Sequence, residues 1–195
     1  MQRVFLDVGA HHGQTIKLLL QPKFRIDHIV GFDPSPICHQ ILEQKFGNHR
    51  KVTIVKAGLW SHQCEMDLHN EGSQGGTVYA DYQTTCNPEP RITKCQFLKA
   101  SDWFRENVNN QDEVFLKLNC EGSECDIIND LLDTKEYDKI KAIFVDFDVR
   151  KSPSQKYKEE ALLKRMKKMN IKNLHLYMGN HRHLVLSSVL CKKRS

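Results

Sequence analysis

Apolar and polar positions along this chain repeat with two periods, one suited to strands and one to helices. Four of the five residues from Val4 to Val8 are apolar and rich in β-branched and aromatic types, which predicts a buried parallel strand. Gly9 and Gly13 bracket a tight loop. Ile16, Leu19 and Leu20 then recur at helical spacing within Gln14–Leu20. The scheme repeats in His28–Phe32, an apolar strand ending on Asp33. Pro34 blocks its extension, Ser35 can cap the next helix and Pro36 suits its first position. Ile37, Ile41 and Leu42 give that helix a buried face, and Gly47 is placed to stop it. Val52, Ile54 and Val55 form a third strand running into Ala57-Gly58-Leu59.

Residues 61–113 break this rhythm. Cys64, Met66 and Leu68 alternate with polar residues, Gly72 to Gly76 is glycine-rich, and Thr84 to Pro90 is turn-rich. Ile92 to Leu98 is a further short strand, and Ser101 to Phe104 starts a helix. The stretch is expected to be an insertion, either a lid or substrate element or a passive surface flap. Alternation then resumes with a strand over Val114–Leu118 and a turn over Asn119–Gly122. A helix with core residues Ile127, Ile128, Leu131 and Leu132 follows, opened by a Ser123/Asp126 capping box. A fifth strand covers Ala142–Phe147, and a helix covers Lys156–Met169. Leu174–Met178 and Leu184–Val189 are expected to pair as closing strands around Gly179-Asn180-His181. The pattern predicts a doubly wound α/β fold in a single domain over residues 1–195.

Composition narrows this reading only slightly. At 39% apolar and 27% charged residues, the chain is ordinary for a globular domain of 195 residues. No apolar run approaches the ~20 residues of a membrane span, and no basic-then-apolar leader precedes the first strand. Seven scattered cysteines without CxxC spacing suit reduced thiols, so a cytoplasmic protein is expected. Charge is uneven. From Arg150 onward, 13 Lys and Arg against Glu159 and Glu160 give +11, while the preceding residues carry −6. A solvated lysine-rich helix face explains this, as does attraction to an anionic partner.

In open α/β sheets, ligands bind beyond the carboxyl ends of the strands. The polar or glycine residues at those ends are Asp7, Asp33, Gly58, Asn119, Glu121 and Asp146, with Asn180 and His181 in the last turn. Asp33 stands 24 positions after Gly9, where a carboxylate can accept both ribose hydroxyls of an adenosine. The loop Gly-Ala-His-His-Gly lacks the middle glycine of a dinucleotide fingerprint, and no P-loop occurs. His11 and His12 are adjacent and unsupported by other ligand spacings, so no metal site is expected. Cys120 and Cys125 read as small buried hydrophobes. His181 is a candidate base, against the commoner reading of an exposed turn histidine.

Three segments together carry a family resemblance: Phe5-Leu6-Asp7-Val8-Gly9-Ala10-His11-His12-Gly13, Gly31-Phe32-Asp33-Pro34-Ser35-Pro36, and Leu116-Lys117-Leu118-Asn119-Cys120-Glu121-Gly122-Ser123-Glu124. In order and spacing, from about residue 4 to 148, the chain resembles the FkbM-type S-adenosylmethionine-dependent methyltransferases. The resemblance implies a seven-stranded Rossmann-like class I methyltransferase sheet with helices on both faces. It further implies methyl transfer to a hydroxyl of a sugar, glycan or small metabolite. By the same resemblance, Asp7, Gly9, Ala10 and Gly13 would line the methionine end of S-adenosylmethionine. Asp33 would bind the ribose, with Phe32 and Pro34 beside it, and Gly58 and Leu59 would reach the adenine. Asn119 and Glu121 would flank the methyl group. Glu121 and Asp146, then His181, are the candidate bases. The family's third-motif aspartate is Asn119 here, its glutamate before the proline is Asp33, and its fifth-strand glutamate is Asp146.

Two other functions fit the same residues. One is a nucleic-acid methyltransferase or binder using the basic C-terminal third, although aromatics do not interleave with the bases. The other is a non-catalytic module that keeps the fold and the cofactor.

Overall fold

The structure, a computed structural model, describes residues 1–73, 75–83 and 91–191. The expected turn-rich loop Thr84–Pro90, Gln74 and the side chain of Asn180 lie outside the described residues. The chain forms β1 (Arg3–Val8), α1 (Gln14–Leu19), β2 (His28–Phe32), α2 (Pro36–Phe46) and β3 (Val52–Val55). Next come β4 (Gly58–Trp60), β5 (Cys64–His69), β6 (Ile92–Lys99) and α3 (Ala100–Asn107). The remainder is β7 (Glu113–Leu118), α4 (Glu124–Asp133), β8 (Ile140–Val145), α5 (Tyr157–Lys168), β9 (Leu174–Leu176) and α6 (Arg182–Leu190).

The main sheet has the order β3-β2-β1-β7-β8-β9, and every neighbouring pair is parallel. This is the doubly wound arrangement expected: β1, β2 and β3 step outward one way, and β7 returns beside β1 before β8 and β9 step outward the other way. The winding reverses between β1 and β7, so their carboxyl ends open a crevice at the switch point. Alternate residues of each strand feed two cores. Leu6, Val8, Leu116 and Val145 pack with α3, α4 and α5, whereas Phe5, Ile29, Phe115 and Phe144 pack with α1, α2 and α6. Burial on both faces explains the near-continuous apolar runs.

The sheet has six strands instead of the seven expected. Leu184–Val189 is helical, within α6. Its apolar, β-branched run fits a strand locally, yet Leu186 and Leu190 are buried and Val185 and Val189 pack beside them. That spacing is one face of a helix, and the main sheet offers a whole apolar face on which to bury it. Gly58 likewise does not prolong β3. It starts β4, which pairs parallel with β6 in a separate sheet of order β4-β6-β5. Ser35 caps α2 as expected, accepting from the Cys38 N–H at 3.1 Å. Gly47 closes α2 with an ordinary right-handed φ of −55°. The Ser123/Asp126 capping box is absent. Ser123 Oγ donates to the Cys120 carbonyl instead, and Asp126 is drawn away by Lys158 at 2.7 Å.

Candidate functional site

β1 delivers the chain to Gly9, whose φ of 76° lies in the left-handed region. A Cβ there would stand 1.9 Å from the Asn119 carbonyl oxygen, so only glycine lets the β1 and β7 ends meet this closely. Gly9 and Ala10 both donate to the Phe32 carbonyl, at 3.0 and 2.9 Å, tying the loop to the β2 end. Beneath the loop, Lys117 Nζ reaches Asp7 Oδ1 at 2.9 Å and donates to the Gly9 carbonyl at 2.8 Å. Both charged groups are fully buried, which is tolerable because each compensates the other. Asp7 therefore supports the loop from below.

Asp33 receives the loop from the other side. Its Oδ2 accepts the His11 N–H at 2.8 Å and its Oδ1 accepts the Ser35 N–H at 3.0 Å. Burial raises its carboxyl to about 6, with the two backbone donors pulling it back. Glu71 completes this corner. It accepts the Ser35 hydroxyl and, at 3.2 Å, the Ile37 N–H at the start of α2. No sequence signal marked Glu71, because it arrives from the insertion.

A second cluster gathers at the ends of β7 and β8. Glu121 has a φ of 53°, a costly conformation for a residue with a side chain. The insertion maintains it: Thr77 Oγ1 donates to the Glu121 carbonyl at 2.6 Å, and the Tyr82 hydroxyl donates to its carboxylate. The adjacent Gly122 lies against the Tyr79 ring, 2.8 Å from where a Cβ would sit. Lys151 Nζ stands 3.6 Å from Glu121 and 2.7 Å from Asp148. Burial, with Asp148 nearby, pushes Glu121 up to about 7. Asn119 Nδ2 donates to Asp148 at 2.9 Å, so the neutral amide meets a carboxylate that an aspartate would repel. Asp146 accepts the Gly179 N–H at 2.9 Å, and burial raises its carboxyl too. Glu124 fastens the turn, accepting from the Cys120 and Gly122 N–H groups at 3.0 and 3.1 Å. Fully enclosed, it is pushed up to about 8 by burial and by Asp148.

These clusters face one cleft of about 960 Å³. Of the expected residues, Gly9, Ala10, Asp33, Pro34, Gly58, Leu59, Asn119, Glu121 and Asp146 line it. Asp7, Gly13, Phe32 and His181 do not. Gly13 begins α1 and packs under the Phe46 ring, Phe32 is buried against Trp103, and His181 is exposed in the last turn. The neighbouring Arg182 and His183 line the cleft in its place, as do Arg150 and Lys151. Leu68, Gly72, Val78 and Phe97 show that residues 61–113 build one wall of the cleft. That contribution could not be read from a stretch whose strands pair with residues far away in sequence, as Gly58 with Phe97 and Cys64 with Phe97.

No protein family model matches the chain, and no curated protein matches it. Among solved structures, the chain is similar to a methyltransferase FkbM from Methylobacillus flagellatus KT, with a TM-score of 0.52 and 14% sequence identity. The likeness covers 84% of this chain and 37% of that one, so this chain spans little over a third of that protein's length. The resemblance carried by three sequence motifs thus holds at the level of fold, and the chain has the Rossmann-like α/β fold of an FkbM methyltransferase.

Proposed function

We propose that this chain is an S-adenosylmethionine-dependent methyltransferase acting on a hydroxyl of a sugar, glycan or small metabolite. The observation that carries this reading is the convergence of the Gly9 loop, Asp33 and Glu121 on one cleft at the carboxyl ends of β1, β2 and β7. The donor set fits an adenosine. Each Asp33 oxygen accepts one backbone N–H and keeps acceptor capacity for a ribose hydroxyl. Gly58 and Leu59 offer a largely apolar wall for a base, and Gly9, Ala10 and Asn119 offer backbone and amide groups for an amino-acid tail. A cleft of this size suits such a ligand together with a small acceptor.

When bound, S-adenosylmethionine supplies an electrophilic methyl group on its sulfonium. The protein's part is to align an acceptor hydroxyl and remove its proton. Glu121 is the base this reading favours. It titrates near neutrality, lines the cleft, and is oriented by Tyr82 and Lys151. Asp146 is second. His181 is set aside because it stands outside the cleft lining. Asn119 acts as a positioning residue through Asp148, which supports a working site despite the missing third-motif aspartate.

Calorimetry with S-adenosylmethionine and S-adenosylhomocysteine tests the reading. Binding to the parent and a loss of at least about tenfold in Asp33→Ala are expected. A parent that shows no heat at millimolar ligand ends it.

A further inference from the structure

The fold brings a third donor to the two histidines that the sequence left isolated. Cys38 sits in the first turn of α2, remote in sequence from the Gly9–Gly13 loop. In the folded chain one ring nitrogen of His11, one of His12 and the Cys38 sulfur all lie within 4.8 Å of one another. We propose that His11, His12 and Cys38 form a zinc site in the wall of the cleft. It would have two imidazole ligands and one thiolate, with a fourth position open to water or to a cleft ligand.

Several features point the same way. His11 Nε2 is buried without a hydrogen-bond partner, so one nitrogen of this ring is unspent. His11 itself has a φ of 49°, so the backbone turns in an uncommon way to present its ring here. The two rings stack with centroids 3.8 Å apart and planes within 18°. Neutral rings can approach so closely, whereas two imidazolium ions would repel, and a cation between their nitrogens turns the crowding to use. The donor chemistry selects the metal. Two imidazoles and a sulfur suit zinc and exclude calcium or magnesium, which require oxygen ligands. Zinc has no d-electron preference for geometry, so the rings need only tilt apart around it. The balance is simple: Cys38 loses its thiol proton to solvent, a zinc–sulfur bond forms, and nothing is oxidised or reduced. Asp33, beside Cys38, adds compensating negative charge, while Lys45 and Lys117 oppose the ion from the His11 side.

This inference does not depend on the methyltransferase reading. Metal-stripped protein is titrated with Co²⁺ as a spectroscopic probe and with Zn²⁺ by calorimetry. One equivalent is expected, with a near-ultraviolet thiolate-to-cobalt charge-transfer band and visible bands of a four-coordinate ion. Cys38→Ser removes the charge-transfer band. His12→Ala, a change at a half-exposed loop position, weakens binding at least about tenfold while leaving the fold intact. Zinc also raises the parent's Tm and leaves that of Cys38→Ser unmoved. The proposal is overturned by a charge-transfer band that survives Cys38→Ser, by His12→Ala binding as tightly as the parent, or by no stoichiometric binding at all.

Discussion

At the residue scale, Glu121 shows how a surface-type side chain becomes a base. Its carboxylate is withdrawn from water and set near Asp148, so its proton comes off near pH 7 rather than in the ordinary carboxylate range, even though Tyr82 and Lys151 pull the other way. A base works when deprotonated. The methyl-transfer rate is therefore expected to rise with pH through about 7 and then level. Glu121→Gln should remove that limb and lower kcat by about 10²–10⁴, with cofactor affinity little changed. A pH profile of kcat for both proteins, beside calorimetry, checks this. An unchanged profile would move the role to Asp146. Asp33 is also carboxylate chemistry, but at rest it serves the backbone, joining the His11 and Ser35 amides.

At the scale of elements, α6 is the informative one. A strand over Leu184–Val189 would put Leu184, Leu186 and Ser188 on one face, whereas the helix buries Leu186 with Leu190 and leaves Leu184 56% exposed. The two arrangements predict different mutational costs. Leu186→Ala should lose about 2–5 kcal/mol of stability, the usual range for truncating a fully buried leucine. Leu184→Ser should stay within about 0.5 kcal/mol. Urea unfolding of both variants decides between helix and strand. The turn after β7 shows the opposite balance, since a long-range network there replaces local capping. Glu124 satisfies the Cys120 and Gly122 amides, and Thr77 and Tyr82 reach across from the insertion.

At the scale of the whole molecule, charge distribution matters for stability and for partners. Several bases of the C-terminal third are already paired with acids: Lys151 with Asp148, Lys158 with Asp126 and Arg165 with Asp133. The +11 read from sequence therefore overstates what is free to meet a polyanion. The buried acids set the pH response. Asp33, Glu121 and Glu124 all have folded-state values raised, to about 6, 7 and 8. The stability they contribute is complete below the ordinary carboxyl range and is lost as pH rises through those values. His11, lowered to about 4, acts oppositely, its contribution being lost as pH falls from 6.5 toward 4. Three falling contributions outweigh the single rising one, so stability from these groups is expected to be highest near pH 4 and to fall progressively up to about pH 8. Glu124 alone accounts for roughly 2 kcal/mol between about pH 6.5 and 8. Thermal melts across that range should show a shallower decline in Glu124→Gln than in the parent.

The sequence by itself determined the β-α-β frame, because strands buried on both faces need continuous apolar runs and helices need their own period. It also determined the strand-end positions of Asp33, Asn119 and Glu121, since in a parallel sheet the carboxyl ends all face one side. Tertiary structure decided what those ends become. Whether an apolar run such as Leu184–Val189 pairs or coils depended on the sheet face left to cover. Whether an acid supports the loop, as Asp7 does, or faces the cleft, as Glu121 does, depended on strand alternation and on which charge stood opposite. The wall built by residues 61–113 and the meeting of Cys38 with His11 and His12 are contacts between segments far apart in the chain. No local periodicity encodes such distances, and only the packed sheet and its helices set them.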